Sequence, residues 1–516
     1  MRLQHFLCIV IALVINLTAS AQKEEREANT HFKDENYAVA LKLYKRLLDK
    51  DTTNKEYNYR LGISYLNCNS DPSAALKHLK SVEADKKTDA EFMFRLGQAY
   101  LYNHDFLNAK SSFETCKNLA AKNPVLKITA DTWYKMTENA ERMVKSPLNV
   151  SFINLGKYIN TEMDELTPFI TPDNEILLYS SNIKYDNQFL TYSYDVYFAN
   201  MDEGLFKKGK ILSVVNSPDD EFIAGVSLSN ERIFVQLQGY EAFQDLISSD
   251  RKGKGFLGKI PMSTSINSGY AEFGAYETLN SDTLFFSSGH EGGFGGMDIY
   301  YSLKLPNGEW GASRNLGDKI NTPYDEDFPV LSNDGGKIYF TSNRPESMGG
   351  YDIFESNIIG DTREFSTPKN IGYPLNDVFD NKTIAFSDNE RYAYVSAIKP
   401  DGFGFTDLYR VVFNDMDPAV KIHILNFKMA EGENKIPYAA TDSTLKIIAY
   451  QKGKVVFGQY AYDAKNSAAT IALPPGSYSI EISGIKTEEQ IHKIIVPETP
   501  TGNKIEKEDV ILKPKN

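Results

Sequence analysis

The chain has 516 residues, 41% apolar and 24% charged, with 30 Phe, 31 Tyr, 34 Gly and 21 Pro and a formal net charge of −13. That length exceeds what one hydrophobic core serves and predicts about three domains. The acidic balance argues against nucleic acid and anionic membrane surfaces as partners, and many aromatics mixed with Gly and Pro suit strands and turns.

Residues 1–21 read as a signal peptide. Arg2 supplies a positive start, Phe6 to Leu17 an apolar core, and Ala19-Ser20-Ala21 a small-x-small cleavage site. The apolar core is too short to span a bilayer as a retained helix. Cys8 lies inside it, too early to be a lipidated cysteine. The mature chain is expected to begin at Gln22, exported and without a membrane span; the alternative is an uncleaved N-terminal anchor. Cys68 and Cys116 then remain, and their spacing makes a disulfide possible but does not imply one.

Residues 22–146 read as helical repeats, because apolar residues recur at three and four positions. Ala40, Ala75 and Ala109 are 35 and 34 residues apart, and Leu61-Gly62-x-x-Tyr65 recurs 35 residues on as Leu96-Gly97-x-x-Tyr100. A last helix near Val125–Val144, carrying Trp133, is expected to cap the stack. Such an array can offer a shallow peptide groove or act as a spacer.

Residues 148–415 carry a second, longer period. Ile159-Asn160, Val215-Asn216, Ile266-Asn267, Ile320-Asn321 and Leu375-Asn376 place asparagines 56, 51, 54 and 55 residues apart. A second marker, Asp-aliphatic-aromatic, keeps the same period at Asp195-Val196-Tyr197, Asp298-Ile299-Tyr300, Asp352-Ile353-Phe354 and Asp407-Leu408-Tyr409, with a weaker copy at Asp245-Leu246-Ile247. Between the markers lie short runs of Ile, Tyr, Phe and Thr and turn signals such as Asn333-Asp334-Gly335-Gly336. Two markers with one period and strand content predict a five-bladed β-propeller.

The expected blades are Asp164–Tyr197, Asp220–Ile247, Glu272–Tyr300, Asp325–Phe354 and Asp380–Tyr409. The second, lacking the glycine turn, should be the most irregular. Runs such as Lys210–Val215, Asn315–Ile320 and Lys369–Leu375 read as outermost strands. Val150–Leu155 resembles them but has no blade before it, so it should pair with the fifth blade and close the ring.

The repeated aspartates could bind a cation around a ring, or could accept backbone N–H bonds that lock each hairpin; their one-per-blade occurrence favours the second. The acidic clusters Asp164-Glu165, Asp219-Asp220-Glu221 and Asp325-Glu326-Asp327 should make one face negative, either as a solvated rim or as a surface for a basic partner. His290-Glu291-Gly292-Gly293-Phe294-Gly295-Gly296-Met297 reads as a turn between strands, since no Lys-Ser/Thr and no helix follow it. The seven histidines are scattered singly, no zinc-type spacing occurs, and no catalytic, cofactor-binding or metal residue is predicted.

Residues 418–513 read as a β-sandwich, with strands near Val420–Leu425, Thr444–Tyr450, Lys454–Tyr462, Ala468–Leu473, Ser477–Ile482 and Ile491–Val496. Pro474-Pro475-Gly476-Ser477-Tyr478 is a turn leading into one of them.

Lys337-Ile338-Tyr339-Phe340-Thr341-Ser342-Asn343-Arg344 followed by Gly349-Gly350-Tyr351-Asp352-Ile353-Phe354 resembles the WD-repeat-like unit of TolB-type propellers. The helical spacing resembles the tetratricopeptide repeat. The Pro-Gly-x-Tyr segment looks like the carboxypeptidase regulatory-type, transthyretin-like module, which carries no peptidase site. Together, over nearly the whole mature chain, they resemble the PorE-like envelope components of the Bacteroidetes type IX (Por) secretion system. Nothing matches that family's OmpA-type domain, so peptidoglycan binding is not expected.

The resemblance implies a periplasmic protein held peripherally at the outer membrane by other envelope proteins. It implies a non-enzymatic interaction scaffold in type IX secretion or gliding, without a cofactor. The alternative is a propeller enzyme or ligand sensor acting on glycans or peptides.

Overall fold

The computed structural model describes residues 22–515, apart from 187–190, 203, 240–243, 361–363, 388–389, 417–419, 432–433, 439–444, 452–454 and 498–504. The expected signal peptide and its cleavage site lie outside the described residues. No helix among the described residues is long and apolar enough to cross a membrane.

Among the described residues eight helices come first: α1 (22–33), α2 (Tyr37–Lys50), α3 (Lys55–Asn67), α4 (Pro72–Lys80), α5 (Glu83–Lys86), α6 (Ala90–Tyr102), α7 (Phe106–Leu119) and α8 (Pro124–Met143). The aligned alanines Ala40, Ala75 and Ala109 are fully buried. A Cβ on Gly62 would lie 2.8 Å from Leu79, and one on Gly97 would lie 2.6 Å from Phe113. Glycine is therefore what lets α3 lie against α4, and α6 against α7. Asp71 and Asp105 cap α4 and α7 by accepting N–H bonds from Ala74 and Asn108. Cys68 and Cys116 are free thiols.

Five antiparallel sheets follow, one for each period. Their cores are Glu165–Ile170, Ile176–Asp186 and Thr191–Asp202; Asp220–Val226, Arg232–Gln238 and Leu246–Lys252; Glu272–Glu277, Thr283–Ser288 and Asp298–Leu303; Glu326–Leu331, Lys337–Ser342 and Asp352–Ile359; and Ala385–Phe386, Tyr392–Ala397 and Asp407–Phe413. The innermost strands of the first three sheets touch the innermost strand of the next. Tyr339 packs on Phe386 at 4.8 Å, joining fourth to fifth, and Glu165–Ile170 touches Tyr392–Ala397, joining first to fifth.

Val150–Asn154 pairs antiparallel with Asp407–Phe413, Val150 opposite Phe413 and Asn154 opposite Tyr409, as the counting of runs required. The other outer runs are shorter than expected. Pairing is limited to Lys210–Ile211, Ile260–Pro261, Arg314–Asn315 and Lys369–Asn370, and the chain then turns toward the next asparagine.

The second sheet keeps continuous seven-residue strands instead of being the most irregular; its loop 240–243 lies outside the described residues. The fifth has the shortest inner strand, Ala385–Phe386. There Asn381 stands where the first four sheets have a glutamate, and it takes the Asp377 N–H at 2.7 Å. Its side chain is one methylene shorter, which draws this segment into the turn and delays the ladder.

The last region has two four-stranded sheets around one core that includes Phe427, Ile447, Ile471, Ile480 and Leu512. Tyr478 donates its hydroxyl to the Pro474 carbonyl at 3.0 Å, which explains the Pro-Gly-x-Tyr spacing. Two strands were not foreseen, Asn434–Pro437 and Ile505–Leu512; the latter runs parallel to Lys421–Glu431.

Candidate functional site

Each aliphatic-Asn asparagine does the same job. Its amide carries out both halves of a strand pairing with the residue after the motif aspartate. Asn216 accepts the Val196 N–H at 2.8 Å and donates to the Val196 carbonyl at 2.9 Å. Asn267 does so with Leu246, Asn321 with Ile299, and Asn376 with Ile353. Asn160 does so with Leu408, at 2.9 and 3.0 Å, across the closure of the ring.

Three of the five motif aspartates are consumed in the same way. Asp298 accepts N–H bonds from Phe294 and Gly295 and a bond from the Asn315 amide. Asp352 accepts from the Met348 N–H and the Asn370 amide; Asp407 accepts from the N–H groups of Phe403 and Gly404 and from the Asn154 amide. Asp195, in the first sheet, has Lys184 at 3.8 Å as its partner among the described residues and is raised above the ordinary carboxylate range by burial. The glycine-rich segment is a turn, as expected. Gly295 is required there, because a Cβ would lie 1.7 Å from the Tyr324 carbonyl oxygen of the next unit.

The acidic clusters do not form a solvated rim. Glu165, Glu221 and Glu326, with Glu272, are fully buried. Each accepts from a Ser or Thr hydroxyl four residues earlier: Thr161, Ser217, Thr322 and Ser268. Glu326 also receives Arg344 at 3.0 Å. Asp220, Asp325 and Asp380 reach back to the preceding sheet and accept the N–H groups of Tyr194, Met297 and Tyr351 at 2.7, 3.0 and 3.0 Å. A run of charges that reads as surface is therefore a set of latches between neighbouring sheets.

The helices cover part of this face. Met348, Val378 and Phe379 from the ring belong to the helical core, and Tyr102 packs on Phe379 at 4.8 Å. Asn139 of α8 donates to the Pro345 carbonyl at 2.7 Å, and Thr132 lies 3.3 Å from the Tyr324 hydroxyl. The expected capping helix is thus also the seat of the helices on the ring.

A cavity of about 190 Å³ remains at this junction. Asn67, Cys68 and Asn69 line it from the end of α3; Asp164, Tyr194, Asp380, Lys382 and Thr406 line it from the ring. Asn69 Oδ1 is buried with no hydrogen-bond partner among the described residues. Burial pushes Asp164 up to about 6 and the adjoining Glu165 up to about 7, and it raises the Cys68 thiol far above its ordinary value. A thiol held protonated is a poor nucleophile. The cavity is suited to holding a small polar group. Sequence reasoning missed it, since its residues come from helix end, first unit and fifth unit with no common spacing.

The histidines are not all single. His78 bonds Asn58, and His290 faces the Glu291 carbonyl, but His423 and His492 converge on Glu508 in the last region.

No family model and no curated protein matches the chain. Among solved structures, a type III secretion translocator chaperone of Yersinia enterocolitica, SycD, is similar over 24% of this chain and 88% of its own, at 15% identity and TM-score 0.22. TolB of Acinetobacter baumannii is similar over 48% of this chain and 54% of its own, at 16% identity and TM-score 0.31. A Trypanosoma rangeli sialidase in complex with the inhibitor DANA matches over 67% and 89%, at 9% identity and TM-score 0.32. At these TM-scores the likenesses carry no statement about activity.

Proposed function

We propose that this chain is a non-enzymatic scaffold for protein–protein interaction, built as helical repeats, a five-bladed propeller and a transthyretin-like sandwich. One observation carries the reading: most of the polar side chains that recur around the ring are engaged with backbone groups of their own or the neighbouring sheet. Side chains spent on construction are not available to act on a substrate. The resemblance to PorE-like proteins gives the setting, a periplasmic protein associated with the outer membrane through partners in type IX secretion or gliding. Pull-down of the tagged chain from envelope fractions should recover outer-membrane proteins. Recovery as a free monomer, with normal secretion after deletion of the gene, would sink the proposal.

A second reading, a sensor of glycans or peptides, is favoured by the junction cavity, whose polar residues differ from unit to unit. Thermal-shift screening against polysaccharides and peptides separates the two, since a ligand of the native state raises its melting temperature. A shift abolished by Asp380→Asn and Lys382→Met would favour the sensor; no shift with any compound leaves the scaffold.

A further inference from the structure

The last region contains a cluster that plays no part in the ring or its latches. His423 lies on Lys421–Glu431 and is 2% exposed. In the parallel pairing with Ile505–Leu512 it stands opposite Glu506, and Leu425 stands opposite Glu508. Side chains two apart on a strand share a face. Leu425 and Phe427 continue the face of His423, Val510 and Leu512 continue that of Glu506 and Glu508, and all four are in the core. The histidine and both glutamates therefore point between the two sheets, at one end of the sandwich. From the facing sheet comes His492, on the same side of its strand as the core residues Ile494 and Val496.

The distances are short. His423 Nδ1 is 3.2 Å from Glu508 Oε1, and His492 Nε2 is 2.8 Å from Glu508 Oε2. Glu506 Oε2 is 3.9 Å from His423 Nδ1, and its other neighbour is Lys421 at 2.5 Å. One ligand atom from each of His423, Glu506 and Glu508 lies within 4.8 Å of the others. Small side-chain rotations bring three such atoms to the roughly 2.0–2.2 Å that a zinc ion takes from imidazole and carboxylate donors.

Charge and hydrogen bonding both leave the cluster incomplete. Two carboxylates face one ammonium, Lys421, so with neutral imidazoles the group carries a net negative charge. His423 Nε2 is buried without a hydrogen-bond partner among the described residues. Both carboxylates face Nδ1, so an ion held between them is taken by the Nδ1 lone pair, and the ring proton then sits on the buried Nε2.

We propose that His423, Glu506 and Glu508 bind a divalent transition metal of the zinc class, with His492 as a fourth ligand or as the partner that orients Glu508. Imidazole with carboxylate suits zinc better than calcium or magnesium. The metal fastens Ile505–Leu512, the last strand, to Lys421–Glu431, and through His492 it ties one sheet to the other. The site is a structural clasp, independent of the junction cavity.

The test uses the whole mature chain, stripped with a chelator and titrated with zinc chloride by calorimetry. One saturable equivalent is expected, with a rise in melting temperature of roughly 5 °C at saturating zinc. Amide exchange should slow in Ile505–Leu512 and Gln490–Val496 but not in the ring. Glu506→Gln, at a half-exposed residue, should weaken binding at least about tenfold and leave the zinc-free melting curve in place. Glu508→Gln should abolish binding. The proposal is overturned if the native chain shows no saturable binding, if Glu506→Gln binds with unchanged affinity, or if exchange in these strands answers to pH alone. Should Glu508→Gln fail to fold, the native titration and Glu506→Gln still decide.

Discussion

The ring and the final sandwich use carboxylates in opposite ways. In the ring, Asp298, Asp352 and Asp407 turn toward backbone N–H groups, and Asp220, Asp325 and Asp380 do the same across sheet boundaries. In the sandwich, Glu506 and Glu508 face side chains that are themselves titratable. A repeated unit must solve the same construction problem five times, so its polar residues recur with the period and are absorbed by it. A domain that occurs once carries no such constraint. The comparison teaches that in this chain periodic polar residues mark architecture, and non-periodic ones mark the places to look for ligands.

Four perturbations would break or sharpen that contrast. The largest effect is expected from deleting residues 148–158, which removes the strand Val150–Asn154 from the fifth sheet and exposes a long edge. The ring should melt roughly 5–10 °C lower, measured by calorimetry. Next is Asn321→Ala, which leaves the buried Ile299 N–H unpaired and strips the Ile299 carbonyl of one of its two donors, the Leu316 N–H remaining. It should cost about 2–4 kcal/mol in denaturant unfolding. The same change at the less buried Asn216 should cost less, because water can reach the freed groups.

The third concerns pH. Burial raises Asp164 to about 6 and Glu165 to about 7, so the folded state favours their protonated forms. The stability they contribute is fully present below the carboxylates' unfolded values and is lost as pH rises through those raised values. Asp164→Asn should therefore gain on the parent chain as pH rises from about 4 to about 6, and hold that gain above it, in parallel melting curves. A constant difference across that range would mean that Asp164 titrates normally. The smallest effect is expected from Thr132→Val, where the buried hydroxyl loses its contact with the Tyr324 hydroxyl and its bond to the Ile128 carbonyl; about 1 kcal/mol or less should be seen.

Much of the ring was legible because the asparagine and aspartate markers keep one register, and each marker has one physical task. Ala40, Ala75 and Ala109 were legible for the same reason, since each lies at a close helix contact. The acidic clusters were read as a rim because sequence cannot distinguish a solvated Glu326 from one that accepts bonds from Thr322, Ser342 and Arg344. The strand Ile505–Leu512 was missed because Glu506-Lys507-Glu508-Asp509 hides the alternation that only Val510 and Leu512 complete. His423 and Glu508 lie 85 residues apart and meet only through a parallel pairing, so no local spacing announces them. The junction cavity joins α3 to the first and fifth units and is likewise invisible in any single window.

Hydrogen exchange at five amides tests the central claim most directly. Val196, Leu246, Ile299, Ile353 and Leu408 each donate to a motif asparagine, and only Leu408 does so across the junction of the chain's first and last ring segments. A closed ring built by repeated polar residues predicts that all five exchange slowly and at similar rates. Rapid exchange at Leu408, with protection at the other four, would contradict it.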